Sequence, residues 1–187
     1  KVTKMLQNIQ QIYAILQPYE EIHNNCYIEC KIPKHSGGLR TINAPTPEFK
    51  QALTKAKEYL ENINCLPHNA AYAYIKQRAP INALEKHQAN HSKWYLKLDL
   101  HDFFGTCTPD IIYQNIIQVF PFCYLNEFPT QNELFKKIIK ICCLNNKLPQ
   151  GSPISPLLTN LLMIPYDYEL HTTLKEGLGQ HFVYTRY

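Results

Sequence analysis

No stretch of this chain reaches the roughly 18 consecutive apolar residues that a helical membrane span requires, so no membrane-spanning helix is expected. The N-terminus shows no secretory signal pattern, and the cysteines show no CxxC pair. The seven cysteines (26, 30, 65, 107, 123, 142 and 143) are odd in number, which disfavours a disulfide framework. A reduced, cytoplasmic setting is therefore expected. No internal repeat or low-complexity tract interrupts the sequence. What is there is ample apolar material: 187 residues, 45% hydrophobic and 12% aromatic, enough to bury a core and too much for a disordered chain.

Charge is unevenly placed. Residues 1–98 hold 13 Lys/Arg against 7 Asp/Glu, and residues 99–187 hold 6 against 8, giving +6 and −2 within a net +4. A basic front half beside an acidic second half suits a phosphate-gripping lobe next to a metal-binding one, though solvated faces also produce such differences.

Periodicity organises the rest. Residues 2–17 carry apolar side chains at helical spacing up to Pro18. Residues 26–32 and 39–44 alternate around His35-Ser36-Gly37-Gly38, which predicts a β-hairpin. That alternation favours buried strand cysteines at 26 and 30 over a metal half-site with His23. Pro47 opens a helix to about Ile63, and a short helix spans 80–90. Trp94–Leu100 reads as a buried strand, apolar except for Lys97 and Asp99. Pro109 starts a helix through Phe120. Thr130 and Glu133 form a capping box for a helix to about Leu144. Ser155 caps a helix bent at Pro165 and ended at Gly177, and 182–187 begins a last strand. A boundary near residue 93 would separate a mixed basic lobe from an α/β lobe.

Three segments carry chemistry. Asp99 ends an apolar strand, where a carboxylate is costly unless paired, solvated or bound to a cation. It can cap the following turn, as can Asp102, or it can bridge two hard cations, the minimal protein contribution to phosphoryl transfer. Lys34 and Arg40 flank the Gly37-Gly38 turn and could close on a triphosphate, or could be surface cations. Lys31, Lys50, Lys55 and Lys57 extend that positive surface and could track a nucleic-acid backbone. Gln150-Gly151-Ser152-Pro153 places an amide on a turn stiffened by prolines, suited to a sugar or base edge. His87 and His91 have the i, i+4 spacing of metal ligands but no carboxylate partner in the sequence. Cys142 and Cys143 read as a buried helix face.

In order, these segments resemble reverse transcriptases of the bacterial type, those of retrons and group II introns. Lys34–Pro45 (KHSGGLRTINAP) resembles the block whose Lys and Arg contact the incoming dNTP. His68–Arg78 (HNAAYAYIKQR) is a divergent version of the template-approaching block, implying nucleic-acid contacts from Lys76 and Arg78. Asp99–Phe104 is similar to the metal block; it implies Asp99 as catalytic ligand and the Leu100 carbonyl as a further metal contact. Phe104 would pack on the sugar and exclude a 2′-hydroxyl. Leu148–Pro156 (LPQGSPISP) matches the LPQGxPxSP block, which implies Gln150 beside the incoming dNTP and the template strand, and nucleic-acid contacts from Gly151 and Ser152. Tyr184–Tyr187 (YTRY) looks like the lead-in to the Tyr-x-Asp-Asp hairpin, with Tyr187 as its tyrosine, and is especially like retron and phage-defence enzymes. Asn82-Ala83 followed by His87 or His91 is similar to an element of retron enzymes, with different spacing.

The resemblance implies an α+β fold, the fingers (1–93, with the N-terminal helix) and partial palm (94–187) of a right-hand polymerase, without a thumb. It implies RNA-directed DNA synthesis using two Mg²⁺ ions, or Mn²⁺ in their place. The implied partners are an RNA template, a DNA or RNA primer, dNTPs and a cognate structured RNA. These 187 residues alone are expected to be inactive. Two other readings stand beside it: an RNA-binding scaffold, and a template-independent DNA polymerase of the abortive-infection kind.

Overall fold

The computed structural model describes residues 1–33 and 37–187. Its first helix, α1 (Val2–Leu16), buries Met5, Ile9, Ile12 and Leu16 on one stripe, the spacing that 3.6 residues per turn dictates. The stripe packs between α2 (Pro47–Asn62) and α6 (Pro129–Cys142). Asn8, on the same stripe, donates from Nδ2 to the Tyr59 carbonyl at 2.9 Å, fixing α1 along α2. Phe49, Phe122 and Phe135 are fully buried, the last two stacked with ring centroids 5.1 Å apart. Two shorter helices, α3 (Pro80–Ala89) and α5 (Pro109–Ile116), precede α6, with the single turn α4 (Phe103–Thr106) between them. Helix α5 also packs on the long C-terminal helix α7 (Ser155–Leu178), so one apolar core runs from α1 to α7. No helix among the described residues is long and apolar enough to cross a membrane.

The hairpin forms as its alternation indicates. Strand β1 (Tyr27–Pro33) pairs antiparallel with β2 (Leu39–Pro45), Ile32 opposite Arg40 and Tyr27 opposite Pro45. Gly37 and Gly38 in its turn both have positive φ, which glycine adopts without strain. Among the described residues the two strands stand alone as a sheet, and they are largely exposed. Cys26 is buried just before β1, but Cys30 faces solvent, so only one of the two expected strand cysteines is interior.

The largest departure lies at Trp94–Leu100, which belongs to no strand. Its apolar side chains are exposed, Trp94 by 92% and Leu96 by 84%. A strand patterned for burial on both faces needs a ladder beside it, and none flanks this segment among the described residues. The stretch ending at Tyr187 likewise makes only one isolated parallel bridge, Arg186 with Ala71.

Helix starts also differ from the expected caps. Phe128 and Ile154 occupy the N-cap positions of α6 and α7, and neither makes a side-chain capping bond. Pro129 and Pro156 fix φ in the first turns instead. Thr130 lies within the helix and Glu133 bonds Lys136 at 2.6 Å rather than closing a capping box. Helix α5 ends at Ile116, earlier than Phe120, while α7 runs on through Pro165 to Leu178. Gly179, with φ +67, takes the C-cap.

Candidate active site

The turn after α6 is docked on the hairpin. The Asn43 N–H in β2 donates to the Gln150 carbonyl at 2.7 Å, and the Leu148 N–H donates to the Cys107 carbonyl at 3.1 Å. Gly151 has φ +120, and a Cβ there would stand 2.7 Å from both the Asn43 oxygen and Ile42 Cγ2. Only glycine satisfies that torsion and that approach together. The backbone of the Gln150 turn and the strand bearing Arg40 therefore form one unit. Gln150 is half-buried and Arg40 exposed. Ser152 is buried beneath the turn with its hydroxyl close to that of Tyr27, and the buried Ser155 hydroxyl has no hydrogen-bond partner among the described residues. Burial pushes the Tyr27 phenol well above its ordinary pKa. Lys34 lies outside the described residues.

Asp99 and Leu100 close the exposed 94–100 segment, and Asp99 makes no ion pair among the described residues. Asp102 adopts the left-handed conformation (φ 45°, ψ 46°) at the N-cap of α4, without a side-chain capping bond. Its carboxylate folds over Gly105, leaving no room for a Cβ at that position. Phe103 and Phe104 pack edge-to-face at 6.0 Å against the core, which anchors the turn after Asp99. Between this turn and α7 lies an open cavity of 560 Å³ lined by Leu100, Phe103, Cys107, Leu162, Met163 and Tyr184, among others.

The basic residues have different surroundings. Lys50 is exposed on α2. Lys76, 91% exposed, stands 3.8 Å from Glu61. Arg78 turns inward, donating to the His68 and Ala71 carbonyls at 3.1 and 2.6 Å while its guanidinium lies over Tyr72. No group of three or more His, Cys, Asp or Glu side chains suited to a metal occurs among the described residues. His87 instead shares a 2.8 Å hydrogen bond between Nε2 and Thr185 Oγ1.

Sequence reasoning missed a polar cluster on α7. Asp167 is fully buried; it accepts from Arg186 Nε at 2.9 Å, Arg186 Nη2 at 2.8 Å and the Tyr184 hydroxyl at 2.7 Å. Asn160 Oδ1 accepts from Arg186 Nη1 at 3.1 Å, and its Nδ2 donates to the Ala73 carbonyl at 2.8 Å. The signal was present: Asn160 and Asp167 are seven residues apart, two turns along one face of an otherwise leucine-rich helix. His68 sits beside this cluster, edge-on to Tyr168 at 4.6 Å, and burial lowers its imidazole pKa with Asp167 opposing.

Residues 32–187 match the family model described as reverse transcriptase (RNA-dependent DNA polymerase). The chain belongs to that family. Among curated relatives, it is 34% identical over 163 residues to the retron Ec73 reverse transcriptase of Escherichia coli, covering 83% of this chain and 49% of that protein. It is 32% identical over 172 residues to the retron Mx162 reverse transcriptase of Myxococcus xanthus, covering 86% and 34%. The retron Ec83 reverse transcriptase of Escherichia coli is 29% identical over 166 residues, at 84% and 49%. The chain thus spans about half, or less, of the length of these relatives. The mixed helix-and-strand fold agrees with the fingers and partial palm expected of the family.

Proposed function

We propose that the intact protein is an RNA-directed DNA polymerase serving a retron-type or phage-defence system in the cytoplasm. The supporting observation is the docking of the Gln150-Gly151 turn on the Arg40-bearing strand, which joins two nucleotide-facing blocks into one wall. On this reading a primer 3′-hydroxyl attacks the α-phosphate of a dNTP paired to an RNA template, and pyrophosphate leaves. Arg40 grips the phosphates as a fork, and Lys34 adds a point charge. Gln150 faces the nucleotide sugar, and Phe104 packs against it to exclude a 2′-hydroxyl. Gly151, Ser152, Lys50, Lys76 and Arg78 line the nucleic-acid path.

Asp99 fits a hard divalent cation: an exposed carboxylate with no ion-pair partner among the described residues, followed by a carbonyl at Leu100, is an all-oxygen donor set. Bound there, two Mg²⁺ ions, or Mn²⁺, would neutralise charge on the attacking and leaving oxygens. Asp99 would supply one acidic ligand, and an acidic pair following Tyr187 would supply the others. A structured RNA encoded with the enzyme completes the set of partners.

RNA-templated primer extension with dNTPs and Mg²⁺ tests this. The full-length protein is expected to make template-complementary DNA, and the 187-residue chain none. Untemplated products from the full-length protein would replace the proposal with template-independent synthesis. Robust synthesis by the short chain would show that no further acidic residues are needed.

A further inference from the structure

We infer that the Asp167–Arg186 ion pair is a positioning device that sets the exit direction of the chain at Tyr187, and with it the acidic residues that follow. The inference rests on the proposed polymerase function, in which that segment leads into the catalytic hairpin. Residues 182–187 form no regular element, and Tyr187 itself is 75% exposed. Secondary structure therefore does little to hold this segment; individual bonds at 184, 185 and 186 do.

Those bonds converge from three directions. Arg186 is fastened by its backbone on both sides: its N–H donates to Ala70 O at 2.7 Å, and its carbonyl accepts from the Tyr72 N–H at 2.8 Å. Its guanidinium is bidentate on Asp167 and reaches Asn160, whose amide in turn holds Ala73. Tyr184 bonds the same Asp167 oxygen, and Thr185 is tied to His87 on α3. The residues just before Tyr187 are thus locked to α7, to the 70–73 turn and to α3 at once.

Such a buried pair is a poor device for stability alone, because apolar replacements of similar volume often hold a fold as well. A planar guanidinium on a carboxylate does specify direction, which an apolar contact does not. The same holds for the hydrogen bonds at 184 and 185, which are directional.

The test uses the full-length polymerase, with kcat and dNTP KM measured in primer extension and hydrogen exchange measured at the Tyr72 and Arg186 amides. Arg186→Lys keeps the charge and loses the fork. It is expected to lower kcat about 100-fold, the scale of a misplacement near 1 Å, with dNTP KM within about twofold because Arg40 and Gln150 are elsewhere. The two amides should exchange faster while those of α1 and α6 do not. Should Arg186→Lys fail to fold, Tyr184→Phe and Thr185→Val each remove one bond, and each is expected to lower kcat several-fold at unchanged KM. Folded variants with wild-type kcat would overturn the inference, as would a parallel rise in KM. If the wild-type protein makes no templated DNA, the function proposal fails separately. Exchange then decides: selective loss of protection at Tyr72 and Arg186 supports the lock, and unchanged protection removes it.

Discussion

On the proposed function, Asp99→Asn in the full-length protein is expected to lower RNA-templated DNA synthesis by about 1000-fold or more, equivalent to about 4 kcal/mol of transition-state stabilisation. Folding should be almost unaffected. The side chain is exposed and unpaired among the described residues, and surface changes of this kind rarely move stability by more than about 0.5 kcal/mol. This separation of effects is what distinguishes a metal ligand from a turn cap. Asp102→Asn is the matching control, since asparagine tolerates the left-handed conformation found there. It should keep most of the activity. Equal losses at 99 and 102, measured as initial rates on the same primer and template, would mean that the turn as a whole matters and Asp99 has no special role.

The second large effect is expected at Gly151. An alanine Cβ would meet a β2 carbonyl and the Ile42 side chain at 2.7 Å, from a backbone with φ +120. Strain and collision together cost about 3 kcal/mol. The obstructing carbonyl lies within a strand paired to β1, so the cheaper relaxation is for the turn to lift away from the hairpin. Lifting breaks the Asn43–Gln150 bond and separates the Arg40 wall from Gln150. Gly151→Ala should therefore raise the dNTP KM at least about tenfold, or about 1.4 kcal/mol, in addition to any loss of stability. Steady-state extension over a range of dNTP concentrations measures it. An unchanged KM in folded protein would show that the docked turn is not part of the nucleotide site.

Local order was the legible part of this sequence. The α1 stripe, the glycine-turned hairpin and the proline-opened helices α2, α3 and α5 follow from periodicity and from residues that restrict φ, both of which act within a few positions. The 94–100 segment was misread because a strand depends on what lies beside it, and its composition speaks only of burial. The starts of α6 and α7 were shifted because proline in the first turn sufficed, and no hydroxyl cap was required. For the site, the order of the Lys34–Arg40, Asp99 and Gln150 segments pointed to the family, which the comparisons show. The Asn43–Gln150 bond is a backbone contact between distant segments, and no side-chain pattern encodes it. Asp167 and Asn160 share a face of the leucine-rich helix, but their burial becomes legible only once Arg186 is placed against both.

The decisive measurement is a structure of the full-length protein trapped with RNA template, primer, a non-hydrolysable dNTP analogue and Mg²⁺. Metal is expected at the Asp99 carboxylate, Arg40 on the triphosphate and Gln150 beside the sugar, all within one cleft. An Asp99 side chain directed away from the cleft that holds the Gln150 turn would contradict it.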